Sequence, residues 1–231
     1  MEAGMSVLLF LCVLVSLHAV DAKPKLRCVF PSQWQSDLFF DFDMRLMGRN
    51  QIDGSGMFYF DYPNQQMRFD FTGVERVDNS SVDFTLIWKF NEPAFYTIDN
   101  SDHTCERQAG VSSFWKQWKG VPGDAWPHYY GGIGGFKEIL GQYEWTRMNG
   151  GPLGKIAVTM DARVGDFCAP VRLLIRDQSQ SSYGTFSVYY EFLDNIGLKS
   201  PNVFIPPRHC QNSTTLVTGN RWTALSRDIF I

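Results

Sequence analysis

Residues 57–71, MFYFDYPNQQMRFDF, decide the fold. Phe58, Phe60 and Tyr62 alternate with Met57, Tyr59 and Asp61. Past the turn DYPNQQ, Met67, Phe69 and Phe71 alternate with Arg68, Asp70 and Thr72. A period of two places successive side chains on opposite faces of a strand, so one face of this hairpin is crowded with large apolar groups. The pattern recurs upstream in LFFDFDMRLMG, where Phe40, Phe42, Met44 and Leu46 oppose Asp41, Asp43 and Arg45. Downstream, VDFTLIWKF sets Val82, Phe84, Leu86, Trp88 and Phe90 on one face. Further strands are expected around residues 95–98, 138–147, 156–162, 171–176 and 185–193, separated by turn-forming stretches such as GRNQIDGSG, DNSDHT and NGGPLGK. No helical period is sustained, and residues 106–135 read as irregular. The expectation is one all-β domain of antiparallel sheets, each with a buried face.

The chain opens MEAGMSVLLFLCVLVSLHAVDAKPK. An apolar run from Val7 to Val15, followed by small residues up to Ala22, has the layout of a secretory signal peptide and is too short to span a bilayer. No basic residue precedes the run, and an uncleaved anchor is the alternative. The reading is a signal peptide over 1–22 and a single β domain over 23–231, secreted or lumenal. The formal charge is −3, without the basic excess that drives nucleic-acid binding. Cys12 leaves with the signal, and Cys28, Cys105, Cys168 and Cys210 form an even set suited to two disulfides in an oxidising compartment. Four cysteines allow three pairings, and spacing does not choose between them. Zinc would need short paired spacings that are missing here. Sequons at Asn79 and Asn212 fit exposed glycans.

Catalytic signatures fail one by one. GGIGG at 131–135 completes neither a dinucleotide fingerprint nor a phosphate loop, and its glycines read as a flexible loop or bulge. There is no nucleophile elbow and no zinc-protease motif, and His103, His128 and His209 are scattered among turns. DFDMRL places Arg45 and Leu46 where a calcium loop needs a ligand and a glycine. DNSD at 99–102 could offer oxygens to a weak calcium site, or simply form a turn. The expectation is a protein that is not an enzyme and requires no cofactor, with calcium possible. Trp115, Trp118, Trp126, Tyr129 and Tyr130 form an aromatic cluster in the irregular stretch. It reads either as rings buried against the sheets or as a pocket rim, a sugar-stacking platform or a partner surface.

Four segments resemble the ependymin family: CVFPSQW (28–34), FDYPNQQMRF (60–69), DFCAPV (166–171) and FLDNIGLKSPNVFIPPRHC (192–210). They lie in that family's order and span nearly the whole mature chain. The resemblance implies two stacked, curved antiparallel sheets, an open half-barrel like the bacterial lipoprotein carriers, around an apolar pocket. It implies pairing of Cys28 with Cys168 and of Cys105 with Cys210. Pocket-lining residues would be Phe40 and Phe42, Phe58 and Phe60, Met67, Phe69 and Phe71, and Phe84, Leu86 and Trp88. The implied function is a secreted glycoprotein that binds lipid or fatty-acid-like ligands, possible as a homodimer and possible in the lysosomal lumen. The alternative is an extracellular-matrix or cell-adhesion protein acting through calcium, glycans and partner surfaces.

Overall fold

A computed structural model describes residues 28–44, 50–92, 94–109, 119–132, 139–148, 155–164, 168–177 and 186–210. The hairpin at 57–71 is the join of β3 (Asn50–Asp61) and β4 (Gln66–Glu75). Upstream lie β1 (Cys28–Val29) and β2 (Gln33–Met44). Then come β5 (Ser80–Lys89), β6 (Ala94–Asp99), β7 (Thr104–Ala109) and β8 (Gly120–Val121). The chain continues through β9 (Trp126–Gly132), β10 (Ile139–Met148), β11 (Lys155–Val164), β12 (Cys168–Asp177) and β13 (Phe186–Gly197). Two short 3-10 turns, Pro201–Phe204 and Arg208–Cys210, complete it.

The fold is all-β, antiparallel and curved. Among the described residues the ladders run unbroken through eleven strands, in the order β7-β6-β5-β4-β3-β2-β13-β12-β11-β10-β9. Two meanders, β2 to β7 and β9 to β13, are therefore stitched together by the long-range pairing of β2 with β13. Curvature is legible in the rings. Phe69 on β4 and Tyr190 on β13 lie three strand steps apart, about 14 Å on a flat sheet. Their ring centroids are 5.8 Å apart. The sheet must close toward the face that carries them. Phe58 on β3 and Phe192 on β13 meet in the same way, at 5.5 Å. This concave face holds the main core, to which β10, β11 and β12 add Tyr143, Val158, Met160 and Ile175.

Among the described residues two small pieces flank this sheet. The β1–β8 ribbon puts Phe30 against Trp34 and Phe60, and the disulfide Cys28–Cys168 ties it to β12. On the opposite, convex face, the C-terminal segment lies over β5–β7. There Cys210 is buried with Ile87, Ala94, Tyr96 and Ile98, and is bonded to Cys105. Arg68 donates to the Val203 carbonyl at 2.5 Å, holding the same segment. That cover explains why the apolar alternation breaks at Ile87.

Two parts of the chain differ from the sequence expectation. IDGSG, grouped with the turn residues, lies inside β3: a Cβ at Gly54 or Gly56 would collide with the backbone of β4, at Thr72 and Asp70. Glycine at these sites marks close backbone approach within a bent sheet, not a turn. The stretch 106–135, read as irregular, contributes the end of β7 together with β8 and β9. Among the described residues β7 and β9 are the two edges of the sheet, where one side of each strand is not laddered and strict alternation is not required.

Candidate functional site

The concave face carries all ten residues expected to line a pocket. Phe40, Phe42, Phe58, Phe60, Phe69 and Phe71 are buried, none more than 5% exposed, as are Phe84, Leu86 and Trp88, while Met67 is half-buried. Their rings meet along the face from strand to strand: Phe40–Phe71 at 4.8 Å, Phe71–Phe84 at 4.7 Å, Phe58–Phe69 at 4.5 Å and Trp88–Phe95 at 4.7 Å. The result is one aromatic surface running from β13 to β6. Glycines make room in it, since a Cβ on Gly54 would stand 2.9 Å from the Phe40 ring.

Several polar groups interrupt this surface, Trp34 and Thr97 among them. The Trp34 indole N–H, set among Phe30, Phe58, Phe60 and Phe192, is buried and has no acceptor among the described residues. The Thr97 hydroxyl on β6 is also buried without a partner among the described residues. A buried donor without an acceptor costs about 1–3 kcal/mol, so either group would gain from an oxygen brought in by a ligand. Burial alone pushes the Tyr190 hydroxyl well above the ordinary tyrosine range, so it stays protonated.

A second, polar site lies on the convex face; of its residues only His128 was considered from the sequence, and it lies on β9 and not in a turn. Rungs of side chains cross β10–β13 in register: Gln142, Asp161, Arg172 and Glu191 in one, and Glu144, Thr159, Leu174 and Tyr189 in the next. A third passes through Ala157 and Arg176. Short Thr159 stands where its neighbours are long, and a groove of about 420 Å³ opens there. Gln142 donates to Asp161 at 2.9 Å, and Arg172 reaches Asp161 at 3.6 Å and Glu191 at 3.4 Å. His128 and Glu144 close one end at 2.6 Å. The Arg172 guanidinium lies 5.9 Å from the centre of the Tyr189 ring. Burial raises the Tyr189 hydroxyl above its usual range, and Glu191 adds to this against the pull of Arg172.

The remaining candidates are dispersed. Asn79 is exposed in the β4–β5 turn with φ 59°, open to a glycan. Trp126 is 70% exposed, so it is not one of the buried rings. Tyr129 and Tyr130 belong to β9, whereas Trp115, Trp118, Asn212 and the signal segment 1–22 lie outside the described residues. In DNSD, the Asp99 carboxylate accepts the backbone N–H groups of Ser101 and Asp102 at 2.9 and 3.0 Å, so this oxygen serves a turn. Among the described residues, no group of three or more His, Cys, Asp or Glu is placed to hold a metal ion. Alternation could show that Asp161, Arg172 and Arg176 lie on polar strand faces. It could not show that they are neighbours, because register between strands is a non-local property.

No protein-family model matches the chain. No curated protein matches it either. Among solved structures it is similar to an uncharacterized conserved protein from Thermus thermophilus, at 8% identity over 78% of this chain and 88% of that one, with a TM-score of 0.43. LprF from Mycobacterium bovis aligns at 12% identity over 76% of this chain and 90% of its own, with a TM-score of 0.38. A LolA superfamily protein from Nitrosomonas europaea aligns at 10% identity, over 78% and 93%, with a TM-score of 0.37. At these values the likeness is one of outline, and no residue role passes from these proteins to this chain.

Proposed function

We propose that this protein is a non-catalytic binder of hydrophobic, acyl-chain-like ligands, held against the concave face of the sheet. One observation carries the reading: an aromatic surface continuous over many strands that contains a buried indole donor, Trp34, without an acceptor among the described residues. A site of this kind should be concave and mostly apolar, with very few polar groups to orient the ligand. The rings supply the apolar wall, and Met67 at its margin adds an adaptable side chain. Burying each ligand methylene is worth about 0.8 kcal/mol, so a long chain binds without any charged contact. The indole N–H would take a carbonyl or acid oxygen at the ligand head. The resemblance to the ependymin family supports the same reading, and the two disulfides suit the secreted or lumenal setting in which such a carrier would work.

The test is titration of the delipidated, disulfide-bonded protein with a fluorescent long-chain fatty-acid ester, alongside native mass spectrometry. Saturable uptake at one molecule per chain is expected. Trp34→Phe keeps a ring but removes the donor. It should weaken the ester about tenfold, the worth of one buried hydrogen bond, while leaving a purely hydrocarbon probe unaffected. Absence of saturable uptake of either probe overturns the proposal.

A further inference from the structure

The convex groove is independent of the concave face, and its chemistry is of a different kind. Among the described lining residues Leu174 is the one aliphatic side chain, with the Tyr189 ring beside it, so an acyl chain gains little there. Its charges are of both signs, Arg172 and Arg176 against Glu144 and Asp161, so a bare polyphosphate would meet repulsion as well as attraction. What it offers is a set of donors and acceptors in fixed positions. The Asp161 carboxylate, 9% exposed, is held by Gln142 and Arg172, and Glu144 is held by His128. Arg172 is engaged by Asp161 and Glu191, whereas Arg176 makes no ion pair among the described residues. Beside the groove, outside its lining, Trp126 is 70% exposed and is laddered opposite the lining residue Glu144. A large exposed aromatic beside orienting polar groups is an arrangement for a ligand with one flat apolar face and many hydroxyls.

We propose that this groove binds an acidic sugar. The apolar face of the sugar ring rests on Trp126. Its hydroxyls exchange hydrogen bonds with Glu144, Gln142 and Asp161, and its acidic group pairs with Arg176. A neutral sugar satisfies the first two requirements and leaves the guanidinium unanswered. A groove of about 420 Å³ has room for a mono- or disaccharide. Carboxylated and sulfated sugars share this chemistry, whether free or at the end of a glycan chain.

The experiment uses the full disulfide-bonded protein and calorimetric titration with three forms of one disaccharide: uronic acid, sulfated and carboxyl-reduced. At least one acidic form should bind saturably, about tenfold more tightly than the neutral form, as expected for one charge-assisted pair. Which acidic form binds identifies the acid. Arg176→Gln, at an exposed position, should erase that preference, and Arg176→Lys should restore part of it. Trp126→Ala should weaken all three forms together. The proposal is overturned if none of the three forms binds saturably, if the neutral form binds as tightly as the acidic ones, or if Arg176→Gln binds like the wild type. Uptake of a fatty-acid ester on the concave face bears on none of these outcomes.

Discussion

Asp61 fixes the hairpin from which the fold was read. Its side chain is fully buried, yet it accepts from Gln33 at 3.1 Å, from the Asn64 amide side chain at 2.8 Å and from Gln66 at 2.9 Å, with the Asn64 backbone N–H at 3.4 Å. Burial works to raise its pKa. Hydrogen bonds from Asn64, Gln66 and Gln33 outweigh that effect and hold the carboxyl below its usual 3.8. A carboxyl depressed on folding stabilises the native state above its unfolded pKa. That stabilisation is lost as the pH falls through the lower, folded value. Asp61→Asn replaces a fourfold acceptor by a group with donors of its own facing other donors. Urea unfolding at neutral pH should show a loss of about 1.5–3 kcal/mol. The gap between wild type and variant should narrow as the pH is taken below 3.8. A gap independent of pH would mean that Asp61 acts by shape alone.

At the scale of strands, the sequence was most legible where both faces declare themselves. β2, β4 and β5 show large rings on one side and charges on the other, and the observed strands overlap the expected ones. β3 was half-hidden because Gly54 and Gly56 resemble turn residues, although they serve the tight contact with β4. β7 and β9 were missed because edge strands tolerate sequences such as TCERQA and WPHYYGG; the latter contains a proline, which suits an edge. The aromatic face was legible by periodicity, whereas the convex groove was not. Its rungs exist only through the registers of β10 with β11, β11 with β12 and β12 with β13. The glycine reading can be checked directly. At Gly56 a methyl group would meet the Asp70 carbonyl of the adjacent strand, a backbone atom that cannot swing aside. Gly56→Ala should cost about 1–3 kcal/mol by overpacking, measured by thermal unfolding. An unchanged midpoint would show that β3 and β4 can move apart freely.

For the whole molecule, the two disulfides do different work on one sheet. Each closes a long loop, with separations of 140 residues for Cys28–Cys168 and 105 for Cys105–Cys210, and each should stabilise by about 4–5 kcal/mol on chain-entropy grounds. By entropy alone the two are nearly interchangeable. By position they are not. Cys28–Cys168 ties the β1–β8 ribbon to β12 at the end of the concave face, where Phe30 meets Trp34. Cys105–Cys210 clamps the C-terminal segment to the convex face over Ile87, Tyr96 and Ile98. Removing the second bridge with Cys105→Ser and Cys210→Ser should speed amide exchange in β5–β7 and expose apolar surface to a dye, while uptake of a fatty-acid ester survives. Removing the first with Cys28→Ser and Cys168→Ser should weaken that uptake, because the group that packs the indole donor loses its anchor. Equal loss of ligand in the two variants would place the binding face elsewhere, since only one bridge touches the concave side.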